Sequence, residues 1–211
     1  MRALPSPLLV VTDRHGLPSG DEHHLLTILE AILSGGARWI WFRERDMAAE
    51  SRAHLARDVL GLVRAYGGRL SIGGDAVLAA ALGADGVHLS GGAGPAEIAD
   101  ARACLPDGLI GVSAHSPGEV EAASRARADY ATLSPIFATA SKPGYGPALT
   151  PAALTAAARF GIPVIALGGI TAERMTICRE AGAAGCAVMG GLMRTHDPAG
   201  ATRAVLDAWA T

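Results

Sequence analysis

Aromatic side chains are scarce in this sequence. Trp, Tyr and Phe occur three times each, 4% of 211 residues. Half of the residues are hydrophobic, so a sizeable core is possible, but it must be built from small and aliphatic side chains. An excess of charge is missing too. The formal net charge is -2, with no Lys/Arg run and no evident basic face, which argues against nucleic acid as the main partner. Long apolar runs are absent. The stretch "MRALPSPLLVVTDRHG" holds none long enough for a signal peptide or a membrane span, so a cytoplasmic protein without a membrane partner is expected. The three cysteines, Cys104, Cys178 and Cys186, show no CxxC or metal-ligand spacing and are expected to be buried, reduced thiols. No GxGxxG follows the first apolar run, which weakens a dinucleotide-binding open sheet.

What is present is an alternation. Short apolar runs at 7–13, 38–44, 69–73, 85–89, 109–115, 130–135, 162–168 and 185–190 read as strands. Helical patterns separate them, near 21–35, 48–66, 75–83, 95–104, 116–127, 150–159, 171–182 and 197–210. Several helices open on recognisable caps. Ser116 is followed by Pro117 and Glu119, Thr150 by Pro151, and Thr171 also stands at a helix start. Strands that are apolar on both faces and joined by helices are parallel strands with crossover connections. Eight such units predict a single compact (β/α)₈ TIM barrel over residues 1–211.

In a barrel the chemistry sits where strands end and βα loops begin. Arg43 and Arg45, two apart at the end of the second strand, point the same way and suit an anionic group; Glu44 between them turns to the helix layer. Glycine pairs close the last two strands: Gly168 and Gly169 in "ALGGIT", then Gly190 and Gly191 after Met189 in "AVMGGLM". Glycine lets backbone N–H groups approach a ligand, and these two loops are the recurrent phosphate site of the fold. Taken singly, such a pair merely makes a tight turn. The loop 134–151 is long for a connection of this kind and carries Ser134, Thr139, Ser141 and the cation Lys142, which could close over an anion. His88 and His115 lie at the ends of the fourth and fifth strands. Histidine can take up and return a proton near neutral pH. A lone histidine near a core strand is more often a satisfied structural group, and that reading applies to His88.

Together, "LLVVTD", "FRERD", "ALGADGVHLSGG", "IGVSAHSPGEV", "ADYATLSPIFATASKPGYGPAL", "IPVIALGGIT" and "AGAAGCAVM" resemble the superfamily of thiamine phosphate synthase and the thiazole tautomerase TenI. The resemblance runs from residue 8 to about residue 190. It implies a barrel that binds a phosphorylated thiazole. Two outcomes are known in the superfamily. The synthase joins a pyrimidine pyrophosphate to a thiazole phosphate with Mg²⁺. The tautomerase shifts a proton on a carboxylated thiazole phosphate, making the ring aromatic, without a metal.

This chain departs from the synthase at several positions. The synthase's Asn-Asp pair after the third strand falls on Gly73 and Gly74, its second metal-binding Asp on Ala93, a nearby Gln on Gly91, and its pyrimidine-reading Gln on Trp41. Mg²⁺ prefers carboxylate oxygens, which Gly and Ala do not have. Asp75 comes one position late and reads as a helix cap. The expectation is therefore a TenI-like tautomerase with no metal and no cofactor. Its catalytic residue would be His115. Arg43, Arg45, His88, Ser134, Thr139 and Lys142 would bind substrate. Gly168, Gly169, Met189, Gly190 and Gly191 would bind its phosphate. The alternatives are a divergent Mg²⁺-dependent synthase using Asp75 or Asp13, and a non-catalytic thiazole phosphate-binding regulator. The resemblance also implies a homodimer.

Overall fold

The computed structural model describes residues 2–17, 22–139 and 147–211. Among them, eight parallel strands close into a barrel in chain order. They are β1 (Leu8–Val11), β2 (Trp39–Phe42), β3 (Arg69–Gly73), β4 (Gly86–Leu89), β5 (Leu109–Ala114), β6 (Tyr130–Leu133), β7 (Val164–Leu167) and β8 (Gly185–Val188). The ring closes where β8 returns to β1, with Leu9 opposite Ala187. Helices follow the strands: α1 (Glu22–Ser34), α2 (Ala49–Ala65), α3 (Ala76–Leu82), α4 (Pro95–Cys104), α5 (Pro117–Arg125), α6 (Pro151–Ala157), α7 (Ala172–Glu180), α8 (Gly190–Met193) and α9 (Pro198–Ala210). The chain is a (β/α)₈ barrel, as its alternating pattern predicts.

Alternation along each strand divides the core in two. Leu9, Val11, Trp39, Trp41, Leu109, Tyr130, Ile165 and Ala187 form a cluster inside the barrel. Leu8, Val10, Ile40 and Phe42 belong to the larger cluster between barrel and helices. Trp39, Trp41 and Tyr130 supply the aromatic bulk inside the barrel, and alanine-rich helices pack outside. Helix α1 buries Leu25, Leu29, Ile32 and Leu33, one face at helical spacing. Each such side chain contributes about 1.5–3 kcal/mol relative to exposure.

Local chemistry decides several helix starts. Asp75 caps α3, accepting from the Leu78 N–H at 2.8 Å. Ser116 caps α5, accepting from the Glu119 N–H at 3.2 Å. Thr150 and Thr171 occupy the cap positions of α6 and α7, but neither side chain bonds to the helix backbone. Strands β3 and β4 end at Gly73 and Leu89 as expected, but the other six stop one or two residues earlier than their apolar runs suggest, because the chain leaves the ladder to form the βα loops. The run 185–190 is divided: β8 ends at Val188, and Gly190 already opens α8. Glycine's poor helix propensity hid that turn from the pattern. One cysteine expectation is corrected. Cys178 and Cys186 are buried, but Cys104, on the last turn of α4, is exposed.

Candidate active site

The inward side chains of β2 set the geometry. Trp39 and Trp41 point into the barrel, so Arg43 continues in that direction beyond the strand end. A cavity of about 300 Å³ opens there, at the ends of the strands. Arg43 and Arg45 both line it, whereas Glu44 is buried away from it beside Arg14, at 3.8 Å. Thr12 Oγ1 accepts from the Arg43 N–H at 3.0 Å and fixes the backbone there. Arg45 lies at the exposed mouth with its head group turned back. It donates to Ser90 Oγ at 2.6 Å and to the His88 carbonyl at 3.4 Å. Partial desolvation, then the charges of Arg43 and Arg52, lower the Arg45 pKa from its ordinary value. Among the described residues, neither Arg43 nor Arg45 forms an ion pair with a carboxylate. This rim therefore carries uncompensated positive charge that an anion would neutralise.

The glycines after β3 are filled from outside. A Cβ on Gly73 would lie 2.9 Å from the Phe42 carbonyl and 3.0 Å from Trp41 Nε1. Gly74 has φ +71°, and a Cβ there would lie 3.1 Å from the Arg45 guanidinium carbon. Indole and guanidinium occupy the volume that longer side chains would need. Gly91 borders His115: its Cβ would sit 3.3 Å from His115 Nε2. Asp75 is engaged by its cap and by Arg52 Nη1 at 3.2 Å. Asp13 is held by Arg194 Nη1 at 3.0 Å. Among the described residues, no group of three or more His, Cys, Asp or Glu could hold a metal ion. The side chains present do not fit the Mg²⁺ site implied by the resemblance to the synthase. A guanidinium stands beside the position where that site needs a carboxylate.

His115 lies just beyond β5, half-buried in the cavity wall. Its Nδ1 is 2.9 Å from the Ser134 carbonyl oxygen. A carbonyl only accepts, so Nδ1 carries the proton in the neutral ring and Nε2 is the basic atom. The His115 backbone N–H donates to Glu119 Oε2 at 2.9 Å, which ties the residue to the first turn of α5. Ser134 thus serves through its carbonyl, and Ser134 and Thr139 both line the cavity. Across it, Gly168, Gly169, Met189, Gly190 and Gly191 form the far wall. The first N–H groups of a helix have no intrahelical acceptor, so Gly190 and Gly191 can present theirs to a ligand. Lys142 and Ser141 lie outside the described residues.

His88 is corrected as a substrate contact. It is completely buried, does not line the cavity, and stacks on Trp41 with ring centres 3.8 Å apart. Desolvation, then the Arg45 charge, lowers its pKa to about 3, so it stays neutral and carries no proton in the reaction. The sign of the pH effect follows. Between about 3 and 6.5 the unfolded chain binds a proton that the folded chain refuses, so stability falls as pH is lowered through that window. Acid-side denaturant melts of His88→Gln should show a shallower loss than wild type; equal slopes would contradict this assignment.

The cavity also contains residues outside the expected binding set. Ser90 and Ser113 line it, and Trp41 lines it as a wall. Ser113 follows the period-two alternation of β5 and could have been found from it. Trp41, two positions before Arg43 on β2, follows the same alternation and falls where the resemblance puts a substrate-reading residue; Ser90 could not be found this way, because its place depends on neighbouring strands.

Comparison with known proteins bears on this site. Residues 8–192 match the TMP-TENI family model, described as thiamine monophosphate synthase. The chain belongs to this family. A family member from Geobacter sulfurreducens, whose name gives thiamine-phosphate synthase as a provisional assignment, is 39% identical over 201 residues, 94% of this chain and 92% of that protein. The thiamine-phosphate synthase of Roseiflexus castenholzii is 36% identical over 199 residues, covering 94% and 86%. Thiamine phosphate pyrophosphorylase from Pyrococcus furiosus superposes with a TM-score of 0.83 at 26% identity, covering 96% of this chain and 95% of that one. Among the described residues, no helix of this family member is long and apolar enough to cross a membrane.

Proposed function

We propose that this family member is an enzyme of thiamine biosynthesis that aromatises a carboxylated thiazole phosphate by a metal-independent proton shift. The observation that carries this reading is the replacement at the ends of β2 and β3. Trp41 and Arg45 fill the space beside Gly73 and Gly74, where a metal-dependent coupling enzyme would place its ligands. The cavity wall still carries what a proton shift needs. Arg43 and Arg45 hold the substrate carboxylate through charge-assisted bonds. N–H groups around Gly168, Gly169, Met189, Gly190 and Gly191 hold the phosphate. His115 Nε2 takes the proton from one ring position and returns it at another, with its ring orientation set by the Ser134 carbonyl.

A second reading has a specific observation in its favour. The curated relatives carry the name thiamine-phosphate synthase, and by name alone they favour Mg²⁺-dependent coupling of the pyrimidine and thiazole halves. The residues at positions 73, 74, 91 and 93 favour the first reading. A parallel assay of both reactions, with Mg²⁺ and with a chelator, separates them. Tautomerisation that survives the chelator, with no coupling, is the expected result. Mg²⁺-dependent coupling would overturn it. Tight binding of thiazole phosphate with both substrates left unchanged would instead indicate a non-catalytic regulator.

A further inference from the structure

Behind the cavity wall runs a line of buried hydrogen-bonding side chains that the proton shift does not use. Trp39 Nε1 donates to Ser71 Oγ at 3.1 Å. Trp39 also meets the Tyr130 ring edge-on, with ring centres 4.9 Å apart. The Tyr130 hydroxyl meets His88 Nδ1 at 2.9 Å. His88 Nε2 meets Ser113 Oγ at 3.0 Å, with Thr132 Oγ1 at 3.3 Å. Trp39, Ser71, Tyr130 and His88 are at most 1% exposed, while Ser113 faces the ligand space.

Direction along this line is set at its imidazole end. The Tyr130 hydroxyl, 2.9 Å from His88 Nδ1, has that nitrogen as the acceptor for its proton. A neutral imidazole that accepts at Nδ1 must carry its proton on Nε2. Two hydroxyl oxygens flank Nε2, which suits one N–H shared in a forked bond better than one lone pair serving two donors. Burial keeps the ring neutral and pushes the Tyr130 phenol up, so neither group breaks the order by ionising.

We propose that His88 is a positioning residue: it accepts from Tyr130 through Nδ1 and donates through Nε2 to Ser113, so that the Ser113 hydroxyl aims its own proton at the substrate. Ser113 then offers the bound ligand a donor of fixed direction, backed by the buried Tyr130 hydroxyl. The inference rests on the cavity being the thiazole phosphate site, but not on which reaction takes place there.

Two measurements test it on the full chain. In protein carrying ¹⁵N-labelled histidine, imidazole NMR should place the His88 proton on Nε2 from about pH 5 to 8; a proton on Nδ1 overturns the proposal. The second is a double-mutant cycle read by calorimetric binding of thiazole phosphate. Tyr130→Phe should weaken binding about fivefold to tenfold in the wild-type background, the scale of one hydrogen bond, and leave it unchanged in Ser113→Ala. A general loosening of the core would cost the same in both backgrounds, and equal costs would overturn the proposal. No binding by wild type would overturn the reading of the cavity as well, an outcome distinct from equal costs.

Discussion

Replacing His115 by alanine is expected to lower the rate of the thiazole proton shift by about 10²- to 10⁴-fold, the range for loss of a positioned acid–base group. The geometry makes the loss specific. Nδ1 is committed to the Ser134 carbonyl at 2.9 Å, and the backbone N–H to Glu119 at 2.9 Å. The residue is thus held through its ring and its backbone, and Nε2 is the basic atom that would exchange a proton. Neither Arg43, Arg45 nor the glycine loops depend on the imidazole for their positions. KM should therefore change little while kcat falls, which is the pattern for a group acting in the transition state. Steady-state kinetics with the unstable tautomer checks this, and a variant that kept the wild-type kcat would remove His115 from the mechanism.

Gly169→Ala is expected to weaken binding of phosphorylated thiazole by roughly 30- to 100-fold, the equivalent of ~2–3 kcal/mol of strain in the loop. Gly169 has φ +64°, a conformation that side-chain-bearing residues rarely adopt. The added Cβ would also lie 2.5 Å from the Ala138 carbonyl and 2.9 Å from Phe137 Cβ. Ala138 and Phe137 belong to the segment after β6, so the loop after β7 must move or push that segment aside. Either movement redirects the N–H groups of the phosphate wall. Calorimetry with the phosphorylated and unphosphorylated thiazole separates the effect on the phosphate from a general loss of stability. Equal weakening for both ligands would show that Gly169 does not serve the phosphate.

The barrel was legible because its signals are local and repeated. Apolar runs, caps such as Asp75 and Ser116, and the spacing of the βα units all carry their information within a few residues. The direction of Arg43 and Arg45 was legible for the same reason, since residues two apart on one strand share a side. His88 shows where that kind of reasoning stops. From sequence it stands at a strand end like His115, and both invite a role in chemistry. The difference lies in what surrounds each ring. His115 looks across at Gly91, which leaves room, whereas His88 is roofed by Trp41 and bonded to Tyr130 and Ser113.

The sequence by itself determined the fold, the family, the glycine pairs after the last two strands and the absence of carboxylates at positions 74 and 93. These depend on residue type and on periodicity, which survive without coordinates. Only the tertiary structure decided what took the place of the missing side chains. Trp41 comes from β2, Gly73 from β3 and Arg45 from the loop after β2, and no spacing rule states that indole and guanidinium fill the glycine volume. The same holds for the line from Tyr130 through His88 to Ser113, which draws on β6, β4 and β5 in turn. Neighbouring strands meet through the register of a closed sheet, and buried polar groups must find partners across it. That requirement acts between residues far apart in the chain, so it is met, and becomes visible, only when the barrel closes.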